Sequence, residues 1–265
     1  MSTTSDHSRD AVPTRGTALV TGGAQRIGRV IALTLARAGW RVAVHYGRSR
    51  DAALQTVHEI RDLGGDAQAF ACDLGDESAV DQLLDHIAAT FGAVDVVVNN
   101  AGRFEYDDIH TFTGKCLQEH LGPNLIAPLV LARNLAAQLR TRGGDARGVV
   151  VNLLDQKLWN YNPDFLSYTL TKAALDAATT MLAQALAPTV RVVGVAPGLT
   201  LPSHLQTPEQ FARTHTMAPL GKASTPETVA DAVAFAVANP AITGTTLIVD
   251  GGQHLVGFAR DFSLM

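Results

Sequence analysis

Residues 17–28 read TALVTGGAQRIG, in which a short apolar run leads through two glycines into a segment of helical period. Four or five apolar and β-branched residues that end at glycine are typical of a buried strand. In the segment 26–38 that follows, the apolar residues fall on one stripe, which predicts an amphipathic helix. A strand that turns directly into a helix is the beginning of a βαβ unit.

The same alternation continues along the chain. Further apolar runs predict six more strands at 41–46, 67–72, 94–100, 148–154, 190–198 and 245–252, and the segments between them predict helices at 26–38, 51–63, 76–91, 125–140, 164–187 and 226–238. Strands buried on both faces and alternating with helices predict an α/β, doubly wound fold. Its seven-stranded parallel sheet carries helices on both faces. Segments 101–123 and 199–225 are expected to stay irregular, after strand ends where such sheets bind ligands.

Composition limits the classes of function. The 265 residues are 46% apolar and 17% charged with a net charge of −4, which excludes the basic surface of a nucleic-acid-binding protein. Residues 16–265 lack any linker and are expected to form one domain, whereas residues 1–15 are polar and predict a flexible tail. Two isolated cysteines and the lack of a signal sequence or apolar span predict a cytoplasmic protein away from the membrane. The histidine and cysteine spacing predicts no metal site.

The glycine-rich turn after the first strand indicates a nucleotide site. Gly22 and Gly28 would let the backbone approach a diphosphate, whose charge the helix N-terminus favours. The alternative is that these glycines serve only the geometry of the turn. The strand–turn–helix context favours the nucleotide.

The end of the second strand indicates which nucleotide. The run His45-Tyr46-Gly47-Arg48-Ser49 holds no acid to accept the ribose hydroxyls of NAD. Basic and polar groups there fit the 2′-phosphate of NADP(H). The alternative is that the arginines only line a solvated turn.

Two later strand ends fit the same cofactor. Asp73, before Leu74, is placed to accept from an adenine amino group, and the short polar run Asn100-Ala101-Gly102 is placed to lie along a ribose.

Tyr168 and Lys172 lie four residues apart on a predicted helix and therefore share one face. A lysine ammonium beside a phenol favours phenolate and is expected to lower the pKa of Tyr168. Such a phenol can protonate an atom that receives a hydride. The alternative is a core tyrosine beside a solvated lysine.

The motifs TGGAQRIG, NNAG, YTLTK and VAPGLT together resemble the classical short-chain dehydrogenase/reductase family over residues 16–255. The resemblance implies a Rossmann-type fold, Tyr168 as proton donor, Lys172 as its tuning group and ribose ligand, and Asn124 as part of a proton relay. It also implies a homotetramer built through the helices 125–140 and 164–187. The expected cofactor site comprises Gly22, Arg26, Ile27, Gly28, His45, Tyr46, Arg48, Ser49, Asp73, Leu74, Asn100, Ala101, Gly102, Tyr168, Lys172, Pro197, Gly198 and Leu199.

Four features resemble the pteridine reductases within that family. Asp155 stands where most members have Ser, thirteen residues before the tyrosine. Arg26 lies inside the glycine-rich turn, His45 begins an HYxRS run, and Phe104 follows the NNA run, where that group places an aromatic against the pterin. The resemblance implies that Arg26 bridges the cofactor phosphate and the pterin edge.

The chemistry of Asp155 also favours a pterin. A carboxylate would repel the partial negative charge of a ketone oxygen, whereas a pterin offers N–H donors and is protonated at ring nitrogen. Burial is expected to raise the pKa of Asp155. The expected substrate site comprises Arg26, Phe104, Asp155, Trp159, Tyr161 and Tyr168, although Trp159 and Tyr161 could equally be packing or subunit contacts.

These observations predict an NADPH-dependent reductase that acts on a small-molecule pterin. The substrate would be biopterin-like, monapterin-like or a folate. Two alternatives remain open. One is a general carbonyl reductase or alcohol dehydrogenase acting on sugars, steroids or acyl thioesters. The other is a catalytically silent NADP(H)-binding sensor or scaffold.

Overall fold

The fold, in a computed structural model, is described for residues 15–203 and 205–265. The strands are β1 (Thr17–Val20), β2 (Arg41–Tyr46), β3 (Ala67–Ala71), β4 (Val94–Asn99), β5 (Gly148–Leu153), β6 (Val190–Pro197) and β7 (Thr246–Val249). They pair in parallel as one sheet in the order β3-β2-β1-β4-β5-β6-β7. The predicted doubly wound α/β fold is therefore confirmed. The predicted tail lies outside the described residues, apart from Arg15.

Within the described residues, eight α-helices connect or flank these strands. They are α1 (Arg26–Arg37), α2 (Arg50–Asp62), α3 (Glu77–Thr90), α4 (Gly114–Leu121), α5 (Ala127–Arg142), α6 (Leu166–Leu186), α7 (Pro208–His215) and α8 (Pro226–Ala238). A π-helical segment, Gly122–Ile126, joins α4 to α5, and 3₁₀ turns occur at Gln156–Trp159, Gln253–Leu255 and Phe262–Leu264.

Side chains alternate between two apolar layers, because successive residues of a strand point to opposite faces of the sheet. Ala18 and Val20 of β1 join one layer, which is covered by α1, α2 and α8. Leu19, between them, joins the other layer, which is covered by α3, α5 and part of α6. This two-sided burial explains why the strands read as uninterrupted apolar runs.

Two segments expected to be irregular contain helices. Helix α4 lies within 101–123, and its first turn is capped by Thr113, whose side-chain oxygen accepts from the backbone N–H of Cys116 at 3.1 Å. Helix α7 lies within 199–225, where Thr207 and Gln210 form a capping box. The expectation was wrong because both helices are short and polar, so the caps carry the signal that apolar periodicity lacks.

Strand β7 differs from the other strands in its burial. All four of its residues are only half-buried, because β7 is the edge of the sheet and pairs with β6 alone. No helix within residues 15–203 and 205–265 combines the length and the apolar character needed to cross a membrane.

Candidate active site

A cavity of about 630 Å³ opens at the carboxyl ends of the strands. Its walls come from the segments that follow β1, β2, β4, β5 and β6, together with two residues of α6 and the end of the chain. In a parallel sheet these strand ends lie at one edge, which is why residues distant in sequence meet there.

The glycine-rich turn forms one end of the cavity. Gly22 has a positive φ of 61°, and Gly28 must lack a side chain because a Cβ there would lie 2.1 Å from the carbonyl oxygen of Gly22. Arg26 also has a positive φ, 53°, and lines the cavity together with Ile27. The first turn of α1 carries no acidic residue, so its unpaired N–H groups are free of competing negative charge.

His45 supports this turn from below. Its Nδ1 accepts from the backbone N–H of Gly22 at 3.0 Å, so Nε2 carries the proton and donates to the carbonyl oxygen of Cys72 at 3.0 Å. Burial lowers the pKa of His45 to about 4, which keeps the ring neutral. The structure therefore places His45 beneath the cavity as a support, not in its lining.

At the end of β2, Tyr46, Gly47 and Ser49 line the cavity. Arg48 lies between two of these lining residues and is exposed. Among the described residues, the acidic side chains that line the cavity are Asp155 and Asp261, and neither follows β2.

Of the predicted cofactor residues at the later strand ends, some line the cavity and others do not. Asn100, Ala101 and Gly102 line the cavity, as do Pro197, Gly198 and Leu199 after β6. Asp73 and Leu74 lie outside its lining. Asp73 is exposed and accepts from the backbone N–H of Gly75 at 2.9 Å.

Tyr168 and Asp155 are directly hydrogen-bonded. The Tyr168 hydroxyl donates to Oδ2 of Asp155 at 2.9 Å, and the backbone N–H of Lys157 donates to Oδ1 at 2.8 Å. Lys172, one turn beyond Tyr168, donates through Nζ to the carbonyl oxygen of Leu153 at 2.6 Å. All three side chains line the cavity, so the spacing read from the sequence does bring these groups together.

The electrostatics of the group differ in one respect from expectation. Burial, followed by the nearby Asp155 carboxylate, raises the pKa of Tyr168 well above its ordinary value, whereas the sequence predicted that Lys172 would lower it. Burial also raises the pKa of Asp155 and lowers that of Lys172 to about 8. The prediction for Tyr168 was wrong because its hydroxyl is buried and donates to a carboxylate, which both favour the protonated phenol.

Asn124 lies behind this group and outside the cavity lining. It belongs to the π-helical segment, its amide donates to the carbonyl oxygen of Arg103 and to the Thr171 hydroxyl at 3.0 Å each, and its oxygen accepts from the Arg103 backbone N–H at 2.7 Å. Through Arg103 and Thr171 it ties the β4 loop to α6.

Aromatic residues cluster around Tyr168. Phe104 lines the cavity, stacks on Phe165 with ring centroids 4.2 Å apart and meets the Tyr168 ring edge-on at 4.8 Å. Trp159 and Tyr161 are 40% and 64% exposed and lie outside the lining, so the structure does not bring them to the predicted substrate site.

Sequence reasoning missed the end of the chain. Asp261, Phe262 and Ser263 line the cavity. No motif marks them, because tertiary contacts, among them the ion pair between Arg260 and Asp164, bring this segment to the site. Thr200, Leu201 and Ser203, in the loop after β6, also line it.

Several known proteins are similar to this chain. A family described as Enoyl-(Acyl carrier protein) reductase matches residues 22–254. A 3-oxoacyl-(acyl-carrier-protein) reductase FabG of Staphylococcus aureus is 32% identical over 244 residues, covering 90% of this chain and 98% of that protein. The 3beta-hydroxysteroid dehydrogenase 1 of Eggerthella lenta is 32% identical over 246 residues, covering 90% and 94%.

Solved structures extend the comparison. FolM alternative dihydrofolate reductase 1 from Brucella suis, in complex with NADP, has a TM-score of 0.86 and 40% identity over 91% of this chain and 96% of that one. The same enzyme from Brucella canis, also with NADP, has a TM-score of 0.87 and 40% identity over 94% and 97%. The fold of this chain agrees with that of the solved structures. The chain belongs to the short-chain dehydrogenase/reductase family.

Proposed function

We propose that the protein is an NADPH-dependent reductase of a pterin. The observation that carries the proposal is the hydrogen bond from the Tyr168 hydroxyl to the Asp155 carboxylate at 2.9 Å, beside a cavity wall formed by Phe104. The 40% identity to alternative dihydrofolate reductases supports the same substrate class.

The cavity residues fit a phosphorylated dinucleotide. Gly22 and the first turn of α1 would hold the diphosphate, because backbone N–H groups and the helix dipole favour an anion there. Tyr46, Gly47 and Ser49 form an acid-free surface beside the exposed Arg48, which suits a 2′-phosphate better than bare ribose hydroxyls. Arg26 lines the cavity and would contact a cofactor phosphate and the pterin edge.

When bound, NADPH supplies the hydride that reduces the ring carbon. Tyr168 holds its proton, because burial and Asp155 raise its pKa, and gives it to the adjacent ring nitrogen as that atom gains electrons. Lys172 places a positive charge 5.8 Å from the Tyr168 ring, which favours the phenolate left after proton transfer.

Asp155 gives the site its preference for nitrogen. Its carboxyl group accepts from Tyr168 and from the Lys157 backbone, and an additional lone pair can accept a ring N–H. Phe104 would stack against a flat ring at the distance usual for aromatic pairs. A ketone would gain nothing from the carboxylate.

The proposal is tested by following NADPH oxidation with 7,8-dihydrobiopterin and dihydrofolate beside a panel of ketones and acyl thioesters. NADH in place of NADPH tests the cofactor preference. We expect pterin turnover with NADPH, reduced at least about 100-fold in Tyr168→Phe because a positioned proton donor contributes that much. Asp155→Ser is expected to lose pterin turnover as well.

Tyr161→Phe is the matched control, since it removes the same hydroxyl from an exposed tyrosine outside the cavity and is expected to keep wild-type rates. The general carbonyl reductase is the second candidate, favoured by the steroid dehydrogenase and acyl-carrier-protein reductase relatives. Ketone turnover that survives in Asp155→Ser, with pterins inert in the wild type, would establish that candidate instead.

A further inference from the structure

The C-terminal segment, Arg260–Leu264, contributes to the lining of the cavity that also holds Asp155 and Tyr168. Three of its residues line the cavity, and Phe262 is buried against Phe258 with ring centroids 4.6 Å apart. The carboxylate of Asp261 lies near enough to Asp155 and Tyr168 to contribute to the raised pKa of each. This segment therefore belongs to the region of the reacting groups.

Hydrogen bonds and an ion pair hold the segment in place. Arg260 donates through Nε and Nη2 to the carboxylate of the buried Asp164 at 2.9–3.2 Å, and the backbone N–H of Asp261 donates to the same carboxylate at 2.7 Å. Gln206, in the loop after β6, donates to the carbonyl oxygen of Phe262 at 2.8 Å. The segment is thus fixed by two separate parts of the chain.

Lys157 connects this segment to Asp155. Its ammonium group, with a side chain only 3% exposed, pairs with Oδ2 of Asp261 at 3.0 Å, while its backbone N–H holds Oδ1 of Asp155. A buried ammonium is costly without a partner, so Lys157 anchors the Asp261 carboxylate in place.

Asp261 retains acceptor capacity toward the cavity. One bond reaches each oxygen, from Lys157 to Oδ2 and from the Ser263 backbone N–H to Oδ1. A carboxylate accepts about four hydrogen bonds. Its side chain is 15% exposed, and together with Asp155 it makes this region a double acceptor for N–H groups.

We propose that Asp261 is a specificity-determining residue that accepts an N–H group of the substrate, and that the C-terminal segment selects nitrogen heterocycles with several N–H donors over neutral ketones. This inference rests on the proposed function and extends it to a residue outside the tyrosine–lysine–aspartate group. Phe262 supplies the apolar part of the same wall.

Asp261→Asn tests the inference, because the amide keeps the size and one acceptor oxygen for Lys157 but loses the charge and half of the acceptor capacity. We expect the KM for 7,8-dihydrobiopterin to rise about tenfold, the size of one lost hydrogen bond to a charged group. The Kd of NADPH, measured by its fluorescence, and the KM of any ketone turned over should stay within about twofold.

Asp231→Asn is the matched control, since Asp231 is an exposed carboxylate on α8 outside the cavity lining. If Asp261→Asn loses its melting transition, Phe262→Leu takes its place, and a raised KM for the pterin is again expected. A pterin KM within about twofold of the wild type in a folded variant overturns the inference and leaves the proposed function intact. Pterins inert in the wild type overturn both.

Discussion

At the scale of single residues, the site depends on three titrating groups, Asp155, Tyr168 and Lys172, whose charges influence one another's pKa values. Burial raises the pKa of Asp155 and Tyr168 and lowers that of Lys172 to about 8. Low-dielectric surroundings penalise every charge, so the two acids give up their protons less readily and the base loses its proton more readily than in water. The Tyr168 hydroxyl also donates directly to the Asp155 carboxylate, which couples the two groups.

Lys172 predicts a pH limit on activity. As pH rises through about 8, Lys172 loses the positive charge that stabilises the phenolate of Tyr168. We expect kcat/KM for the pterin to fall about tenfold per pH unit above that value, as for loss of one essential proton. Lys172→Arg should keep any residual activity flat across this range, because a guanidinium stays protonated.

The stability of the fold should change in the opposite direction. The pKa of Lys172 in the folded protein, about 8, lies below its ordinary value of 10.5, so the unfolded chain binds more protons between these values. The contribution of Lys172 to the free energy of unfolding therefore rises with pH in that window. Thermal melting at pH 7 and 9 measures this stability effect separately from the fall in kcat/KM. An unchanged kcat/KM at pH 9 would contradict the role of Lys172 in stabilising the Tyr168 phenolate.

At the scale of elements, α6 is positioned at its first turn by a distant segment. Its N-cap residue, Phe165, is left-handed with φ 55° and ψ 51° and supplies no side-chain cap. Asp107, from the loop after β4, accepts instead from the Ser167 backbone N–H at 2.9 Å and from the Ser167 hydroxyl. Because Tyr168 directly follows Ser167, this cap fixes the position of Tyr168 relative to the cavity.

Asp107→Ala is expected to lower the free energy of unfolding by about 1–3 kcal/mol, since it leaves a buried N–H and a hydroxyl without their acceptor. It should also lower kcat about tenfold or more through a displaced Tyr168. Chemical denaturation and pterin turnover measure the two effects.

Asp76→Ala is the control for this cap. Asp76 caps α3 through the backbone N–H groups of Ser78 and Ala79 and lies outside the cavity lining. Its loss should cost about 1 kcal/mol and leave kcat unchanged. Equal kcat in both variants would show that the Asp107 cap serves stability alone.

At the scale of the whole molecule, the outer surface of α6 predicts self-association. Leu170 and Met181 of α6 are 49% and 67% exposed. Ile109, in the loop after β4, is 70% exposed. The apolar residues of α5, by contrast, are mostly buried against α3 and the sheet within this chain. Of the two helices expected to form a tetramer, α6 therefore offers the free apolar surface.

We expect light scattering to give a mass about four times 28.0 kDa. Met181→Asp should lower that mass, because it places a charge on the apolar surface of α6. Leu63→Asp, at an exposed leucine after α2, is the control that should leave the mass unchanged. A wild-type mass of 28.0 kDa would contradict the prediction of a tetramer.

The sequence by itself determined the sheet and its helices. Strands buried on both faces of the sheet appear in the sequence as apolar runs, and helices buried on one face appear as apolar stripes at helical spacing. It also determined that Tyr168 and Lys172 share a helix face, since their spacing is local. Strand ends were placed within a few residues, and the two short polar helices α4 and α7 were missed.

Only the tertiary structure decided which of the remaining side chains reach the cavity. It left Trp159 and Tyr161 outside, put His45 beneath the turn, and brought Asp261 in through Arg260 and Asp164, which lie 96 residues apart in the chain. It also raised the pKa of Tyr168, which local spacing predicted to fall. Long-range contacts and desolvation depend on how the packed elements meet, and neither is written in the local pattern of the chain.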